Sequence, residues 1–294
     1  MTTITLKTEK SINWSHFVHY MQFLYWCGDI ILNDINSKYI IIEPENKSKI
    51  EYIKTYCNII SKNFNVIFTD IHDENNVNDK NIIYKNYSRK KKIGYFILNG
   101  KKKKDTIMDW FPNYNSAKIK NLFFNNSNCN NNIKIGLVNR KKNRILTNYK
   151  EVCDHIKKSF NMEVDITYFE DKSFDYQIKF FNEHKIIISP HGAQLCSIPF
   201  AQEKSLIIEC VHEEWHPYHY FPGLSNTSNM YHVMICDDHS FFPTWCSDNY
   251  INIKKNRSDN SRLNINVNIK KVINIIKTYL KNNNKLESHD IYLI

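Results

Sequence analysis

His212, Glu213 and His216, within IIECVHEEWHPYHYF (207–221), spell a literal H-E-x-x-H. On a helix, histidines at i and i+4 share a face and can bind one zinc ion, with the glutamate as general base. The helix is part of that chemistry, and the local sequence argues against one. KSLIIECV (204–211) is an apolar, β-branched run that reads as a buried strand. Pro217 follows His216 directly and biases its backbone away from helical angles. The expectation is a strand running into a loop. A zinc-dependent hydrolase is the alternative, and it predicts stoichiometric zinc and inactivation by chelators.

A second group carries different chemistry. In KIIISPHGAQL (185–195) a buried strand ends, and Pro190-His191-Gly192-Ala193 leads into a helix start. Ligands of open α/β sheets bind beyond the carboxyl ends of the strands. A glycine there lets a ligand approach the backbone, and N–H groups at a helix start favour phosphate. Such a dipole contributes only about 0.3–1 kcal/mol per exposed charge, so cationic side chains must supply most of the affinity. Arg140 ends the strand IKIGLVNR (133–140), and Arg144 follows in the same loop. Arginine's planar fork suits diphosphate oxygens. Glu209 is an acid inside the apolar strand SLIIECV (205–211), a costly position unless it is paired. A strand-end glutamate accepting ribose hydroxyls would account for it. Neither G-x-G-x-x-G nor G-x-x-x-x-G-K-[ST] occurs, which disfavours a Rossmann dehydrogenase or a P-loop enzyme.

The elements that must hold these residues form two α/β halves. In the first, NWSHFVHYMQFLYWCGDI (13–30) reads as an amphipathic helix, and KYIIIEP (38–44) as a strand. A helix over 47–64 and a strand over 64–70 follow. The asparagine-dense NNSNCNNN (125–132) is the linker candidate, giving expected domains at 1–127 and 128–294. In the second half, strands are expected at 133–140, 162–170, 185–189 and 205–211. Helices are expected at 148–160, 174–184 and 268–283, with a short helical turn over 192–200. Strands without alternating polarity, separated by helices, imply a parallel sheet covered on both faces.

Composition narrows the function classes. A chain of 294 residues with 42% hydrophobic and 14% aromatic content builds a real core. No run reaches the roughly 18 apolar residues of a membrane span. MTTITLKTEKSINWSHF lacks the apolar centre of a signal peptide, so a cytoplasmic protein is expected. The eight cysteines are scattered without C-x-x-C, which fits a reducing compartment. The net charge of +10 comes partly from RKKK (89–92) and KKKK (101–104). These flank IGYFILNG, a strand-like run ending in a turn dipeptide. Peripheral contact with anionic surfaces fits the charge, whereas no zinc-finger or RNA-recognition signature points to specific nucleic-acid binding. Heavy use of Asn, Lys and Ile suggests an A/T-rich genome, which raises lysine content without functional demand.

The ordered set Arg140, Arg144, Asn148, Phe174, Gln177, His191-Gly192-Ala193 and Glu209 resembles the nucleotide-binding half of glycosyltransferase family 61. That family includes protein O-linked GlcNAc transferases and plant xylan-decorating transferases. NWSHF resembles the family's N-terminal N-x-x-H-F helix, placing Asn13 and His16. The resemblance implies an α/β, GT-B-like fold: two Rossmann-like domains with parallel sheets facing a cleft, in which the last helix can cross back. It implies an inverting transfer of a sugar from a nucleotide-sugar donor, commonly UDP-linked, such as UDP-GlcNAc or UDP-xylose. The acceptor would be a glycan, a protein or a lipid-linked molecule. No D-x-D occurs, so no metal cofactor is expected. Arg140, Arg144 and the backbone of Gly192 and Ala193 would stabilise the leaving diphosphate. Gln177, His191, Glu209 and Tyr231 complete the expected nucleotide-sugar site, with Glu209 on ribose. Relatives occur in bacterial capsule pathways and in large DNA viruses; for a viral chain the location would be host cytoplasm or virion.

Three positions depart from the family pattern. Gln194, Cys196 and Ser197 stand where the family usually has Gly, Thr and Asn. The general base is also displaced: Tyr20 occupies a position where several members have aspartate. His16 is the favoured base, with His19 and Asp29 as further candidates, and Asn13 is placed beside them in the catalytic group. A non-catalytic sugar- or nucleotide-binding protein is the remaining alternative, predicting binding without turnover.

Overall fold

The computed structural model describes residues 133–212, 220–236, 262–282 and 284–286, with shorter stretches at 5–6, 39–42, 58–59, 62, 66–69, 90–98, 101–109, 116–124 and 291–293. The chain divides into two compact units, Met1–Lys90 with Trp110–Asn128, and Lys91–Asp109 with Cys129–Ile294. The division at 128/129 falls inside the asparagine-dense segment. The lysine-flanked stretch 91–109, expected on the first side, joins the second unit.

In the first unit, β1 (Thr5–Leu6), β2 (Tyr39–Ile42) and β3 (Val66–Thr69) form a parallel sheet in that order. The second unit holds β4 (Lys90–Leu98) and β5 (Lys101–Asp109), joined across Asn99-Gly100. Helix α1 (Ser116–Phe123) follows, in the first unit. Five parallel strands then build the centre of the second unit: β6 (Ile135–Asn139), β7 (Val164–Tyr168), β8 (Ile186–Pro190), β9 (Leu206–Val211) and β10 (Tyr231–Cys236). Their spatial order is β10-β9-β8-β6-β7, extended beyond β10 by β11 (Ile291–Leu293), β4 and β5. The protein is therefore a mixed α/β chain with a parallel sheet, as its sequence pattern implied.

The inner strands β6, β8 and β9 are buried on both faces because both are covered, whereas β7, at the edge, leaves Asp165 and Ile166 exposed. Ile186, Ile187 and Ile188 are all fully buried. On one face, Leu137, Ile188, Ile208 and Val233 pack with Val152 and Ile156 of α2 (Tyr149–Phe160). Ile275, Ile276 and Tyr279 of α5 (Ile269–Lys281) complete that layer. Successive strand residues alternate, so Ile187, Ile207 and Val211 serve the opposite face. That side is covered by α3 (Phe174–Glu183), a 3-10 helix (Ala193–Phe200) and α4 (Tyr220–Thr227). Each fully buried Ile, Leu or Phe contributes about 1.5–3 kcal/mol, so the two layers carry much of the fold's stability.

Local chemistry fixes the ends of these elements. Helix α2 places Val152 and Ile156 four apart on its core face and ends at Asn161, whose left-handed backbone (φ 53°) returns its N–H to the Lys157 carbonyl. Ser173 caps α3 by accepting the Tyr176 N–H, and Asn268 caps α5 by accepting the Lys271 N–H at 3.1 Å. Asn148 precedes α2 without capping it. Its amide instead accepts from Val267 N–H at 3.1 Å and donates to Val267 C=O at 2.8 Å. This pair, with the Leu146–Ile265 bridge, straps 262–267 alongside 144–148.

Two elements depart from expectation. Helix α4 forms on YFPGLSNT despite Pro222 and Gly223, and β10 forms on YHVMIC, which interrupts its apolar run with His232. Pro222 is tolerated because the first turn of a helix has no intrahelical acceptor for its N–H.

Candidate functional site

In chain order the five central strands lie as second, first, third, fourth and fifth. The order reverses between β6 and β8, and a doubly wound sheet opens its ligand crevice at such a reversal, beyond the strands' carboxyl ends. Asn139 with Arg140 at the end of β6, and Pro190 through Gln194 after β8, occupy those two ends.

The β6 loop is shaped by Asn139, which is buried. Its Oδ1 accepts the N–H groups of Arg140 and Leu146, both at 2.9 Å, and its Nδ2 donates to the Leu146 carbonyl at 3.1 Å. One side chain thus closes the turn that carries both arginines. Inside that turn, Asn143 (φ 49°) and Arg144 (φ 57°) are left-handed. A non-glycine residue keeps that conformation only where its surroundings impose it. Arg144 N–H also donates to the Arg262 carbonyl at 3.3 Å, so the 262–267 strap supports the turn.

Arg140 reaches across to the β8 end. Its Nη1 donates to Gln194 Oε1 at 3.1 Å and its Nε to the Lys142 carbonyl at 3.4 Å. A Cβ built on Gly192 would collide with both Arg140 Nη1 and Gln194 Oε1. Gly192 is therefore required for space: its backbone is extended (φ 163°), open to any residue. Burial lowers the Arg140 pKa, and Glu170 opposes that by raising it. Glu170 accepts the Lys141 N–H at 2.7 Å and so lies beside the same loop. Burial, with Arg140 nearby, lowers Arg144 to about 10, opposed by Glu209. Both guanidiniums stay cationic at neutral pH. Together they present two half-buried positive charges, Arg140 against Gly192 and Arg144 within electrostatic reach of Arg140, His191 and Glu209.

Beneath them lies a closed polar chain. Glu209 is fully buried; its Oε1 contacts His191 Nδ1 and its Oε2 accepts from His232 Nε2 at 2.7 Å. Ser225 Oγ lies 2.7 Å from His232 Nδ1. The geometry assigns the tautomers: both imidazoles donate to the carboxylate, and Ser225 donates to His232. Burial would push the Glu209 carboxyl up, but the His191 and His232 contacts outweigh it and hold it down to about 2. Burial and the two arginines push His191 down and keep it neutral, against the pull of Glu209. The result is one carboxylate held between His191, which stays neutral, and His232. The ring of His191 packs against Phe221 of α4 at 5.0 Å.

This chain has the residue types of a hydrolytic triad and of a His-His-Glu metal site, but it is neither. Ser225 is fully buried; both oxygens of Glu209, both ring nitrogens of His232 and Nδ1 of His191 are engaged within the chain, and no group of three His, Cys, Asp or Glu among the described residues could hold a metal. Of the H-E-x-x-H residues, His212 follows β9 directly, at the strand-to-loop position expected for it. Glu213 and His216 lie outside the described residues, as do Asn13, His16, His19 and Asp29.

The structure therefore brings Arg140, Arg144, His191, Gly192 and Glu209 into one region and places Ala193 at its edge. Gln177 acts one step removed. Its Nε2 donates to the carbonyls of Phe169 (3.3 Å) and Lys172 (3.1 Å), on either side of Glu170. Tyr231 lies at the opposite, amino-terminal end of β10, in the core against Tyr279, and is not brought to the region. Glu209 faces two histidines where a ribose was expected. Sequence reasoning missed Asn139, Gln194 as an arginine partner, and the Ser225–His232 pair. Only His232, polar within an apolar strand, left a visible signal.

The family model described as Glycosyltransferase 61 matches residues 103–208, a segment that runs from β5 into β9 and includes both arginines and the 190–194 turn. A comparison with curated proteins returned no match.

Proposed function

Because the glycosyltransferase 61 family model matches residues 103–208, we propose that this protein is a glycosyltransferase that moves a sugar from a UDP-linked donor to a glycan, protein or lipid-linked acceptor with inversion of configuration and without a metal. One observation supports the donor side above all. Arg140 lies over Gly192 at the sheet's order reversal with Arg144 near it, where two cations and a backbone position without a side chain suit a diphosphate. Beyond its bonds to Gln194 and Lys142, the Arg140 guanidinium has N–H groups with no protein acceptor among the described residues. In the transition state the charge developing on the leaving diphosphate would fall on these donors, which is the role a metal fills in other transferases.

In this proposal His191 and Glu209 act from below. The carboxylate fixes the His191 ring through Nδ1 and offsets part of the arginines' mutual repulsion. A GT-B arrangement of two such domains around a cleft, with His16 as general base and His19 and Asn13 beside it, belongs to the same proposal. No helix among the described residues is long and apolar enough to cross a membrane. In this proposal the net charge of +10 would aid contact with a lipid-linked acceptor at an anionic surface.

The test is a thermal-shift panel with UDP, GDP, CMP, UDP-GlcNAc and UDP-xylose, each with and without EDTA, followed by release of UDP in the presence of acceptors. A ligand at 100 times its Kd stabilises the fold by about 2.7 kcal/mol. A UDP-specific shift that persists in EDTA, with turnover, is the expected result. A zinc-dependent shift without a nucleotide response would overturn the proposal. Binding without turnover on any acceptor would make the chain a binding protein.

A further inference from the structure

Gln194 is 9% exposed and uses both ends of its amide. Its Oε1 accepts from Arg140 Nη1 at 3.1 Å, and its Nε2 donates to the Pro190 carbonyl at 2.7 Å and to Ser189 Oγ at 3.2 Å. Ser189 in turn donates to the Pro190 carbonyl at 3.0 Å. The amide is thus anchored to the last two residues of β8 and holds the arginine of β6 over Gly192. It is the direct side-chain link between the two strand ends that flank the order reversal.

We infer that Gln194 is a positioning residue for diphosphate recognition, fixing the Arg140 guanidinium over Gly192 so that its remaining N–H groups face the anion. The inference rests on the proposed nucleotide-sugar reading and adds a residue at which this chain departs from its family's pattern. An arginine side chain has many rotamers to lose, and one already held in place loses less freedom on binding. The turn has room for this arrangement only because residue 192 has no Cβ. A neutral amide suits the role: it orients the cation without neutralising it, whereas a carboxylate at 194 would compete with the phosphate. Arg144 supplies the neighbouring charge but is held separately, through its backbone, by the 262–267 strap.

The experiment measures affinity for UDP, uridine and inorganic pyrophosphate by calorimetry in the full chain, wild type against Gln194→Met and Gln194→Glu. The ratio of UDP to uridine affinity isolates the diphosphate. Gln194→Met is expected to lower that ratio and pyrophosphate affinity about tenfold, corresponding to 1.4 kcal/mol, with uridine binding unchanged. Gln194→Glu, which keeps the acceptor atom but adds charge, should lower both further and flatten their salt dependence. An unchanged ratio in both variants overturns the inference, as does tighter UDP binding on loss of the amide, which would make Gln194 a competitor of the diphosphate. If Gln194→Met does not fold, Gln194→Glu alone decides through the same ratio. Failure of the parent reading looks different: the wild type itself would then bind UDP no better than uridine.

Discussion

Asn139 and Leu146 are joined twice, the Asn139 Oδ1 accepting the Leu146 N–H at 2.9 Å and its Nδ2 donating to the Leu146 carbonyl at 3.1 Å. The amide behaves as an extra piece of backbone that closes the turn holding Arg140 and Arg144. Leu146 is fully buried, so both of its main-chain groups depend on this partner or on the 262–267 strap. Truncating Asn139→Ala leaves buried donors and acceptors unmet, at about 1–3 kcal/mol for each group. The expected outcome is a lower melting temperature together with a loss of UDP affinity of tenfold or more. Asn139→Asp keeps the acceptor and loses the donor, and should fall between the two. A variant that loses stability but keeps its UDP-to-uridine affinity ratio would show that the turn does not shape the site.

Gly192 gives the complementary case, in which binding is lost and stability is not. The backbone angle there is open to alanine, and the atoms its Cβ would meet are the far ends of Arg140 and Gln194. Those ends can swing away at little cost to the fold. Gly192→Ala is expected to change stability by no more than about 0.5 kcal/mol, because side-chain tips and not backbone must shift. Pyrophosphate affinity should fall at least tenfold as the guanidinium is displaced. Calorimetric titration alongside thermal unfolding separates the two quantities.

Much of this arrangement was legible because it rests on one-dimensional signals. The runs at 133–140, 185–189 and 205–211 are long, apolar and β-branched, which only a strand covered on both faces accommodates. Arg140, Gly192 and Glu209 could be picked out because each is an unusual residue at the end of, or within, such a run. What stayed hidden depends on contacts between distant segments. Asn148 looks like a helix cap from its position before α2, yet spends its amide on Val267, 119 residues away. Gln177 looks like a ligand residue but braces the Phe169–Lys172 turn. Tyr231 follows the histidine-rich segment in sequence, but strand pairing with Leu206 puts it at the far end of the sheet. Helix α4 was obscured by its own Pro222 and Gly223.

A substitution away from the site should separate fold from function. Gly136 in β6 lies under two buried rings: a Cβ there would sit 2.6 Å from Phe180 Cε1 and 3.0 Å from His184 Cδ2. Those rings stack on each other at 4.0 Å, and His184 is further tied to the Phe180 carbonyl at 2.7 Å and Asp165 at 2.9 Å. Neither ring can yield easily. Gly136→Ala is expected to cost about 1–3 kcal/mol through overpacking. Thermal unfolding should show it, while the UDP-to-uridine affinity ratio of the folded fraction stays at the wild-type value. A fall in that ratio would mean that β6 transmits strain to Arg140.

The buried Glu209 chain predicts how stability responds to acid. The native Glu209 carboxyl sits near 2 against an ordinary 4.5, so the unfolded chain takes up its proton first as pH falls. Its contribution is complete above pH 4.5 and is lost progressively down to about 2. His191 is also depressed, from an ordinary 6.5, so the native ring stays neutral where the unfolded ring is charged. That contribution is complete above pH 6.5 and begins to fall below it. The groups facing the pair are Arg140 and Arg144 from the β6 loop, His232 from β10, Cys210 beside Glu209, and Ser225 from α4. None of them restores the balance at low pH, since added positive charge at His191 meets the two arginines. Denaturant unfolding should therefore show stability falling from about pH 6.5 and more steeply below 4.5. Glu209→Gln keeps the shape and removes the charge. It should lower stability at neutral pH, because the arginines lose their counter-ion, and should abolish the steeper limb below 4.5 while leaving the His191 limb in place. An unchanged acid profile in Glu209→Gln would show that the carboxylate is not the charged centre of the chain.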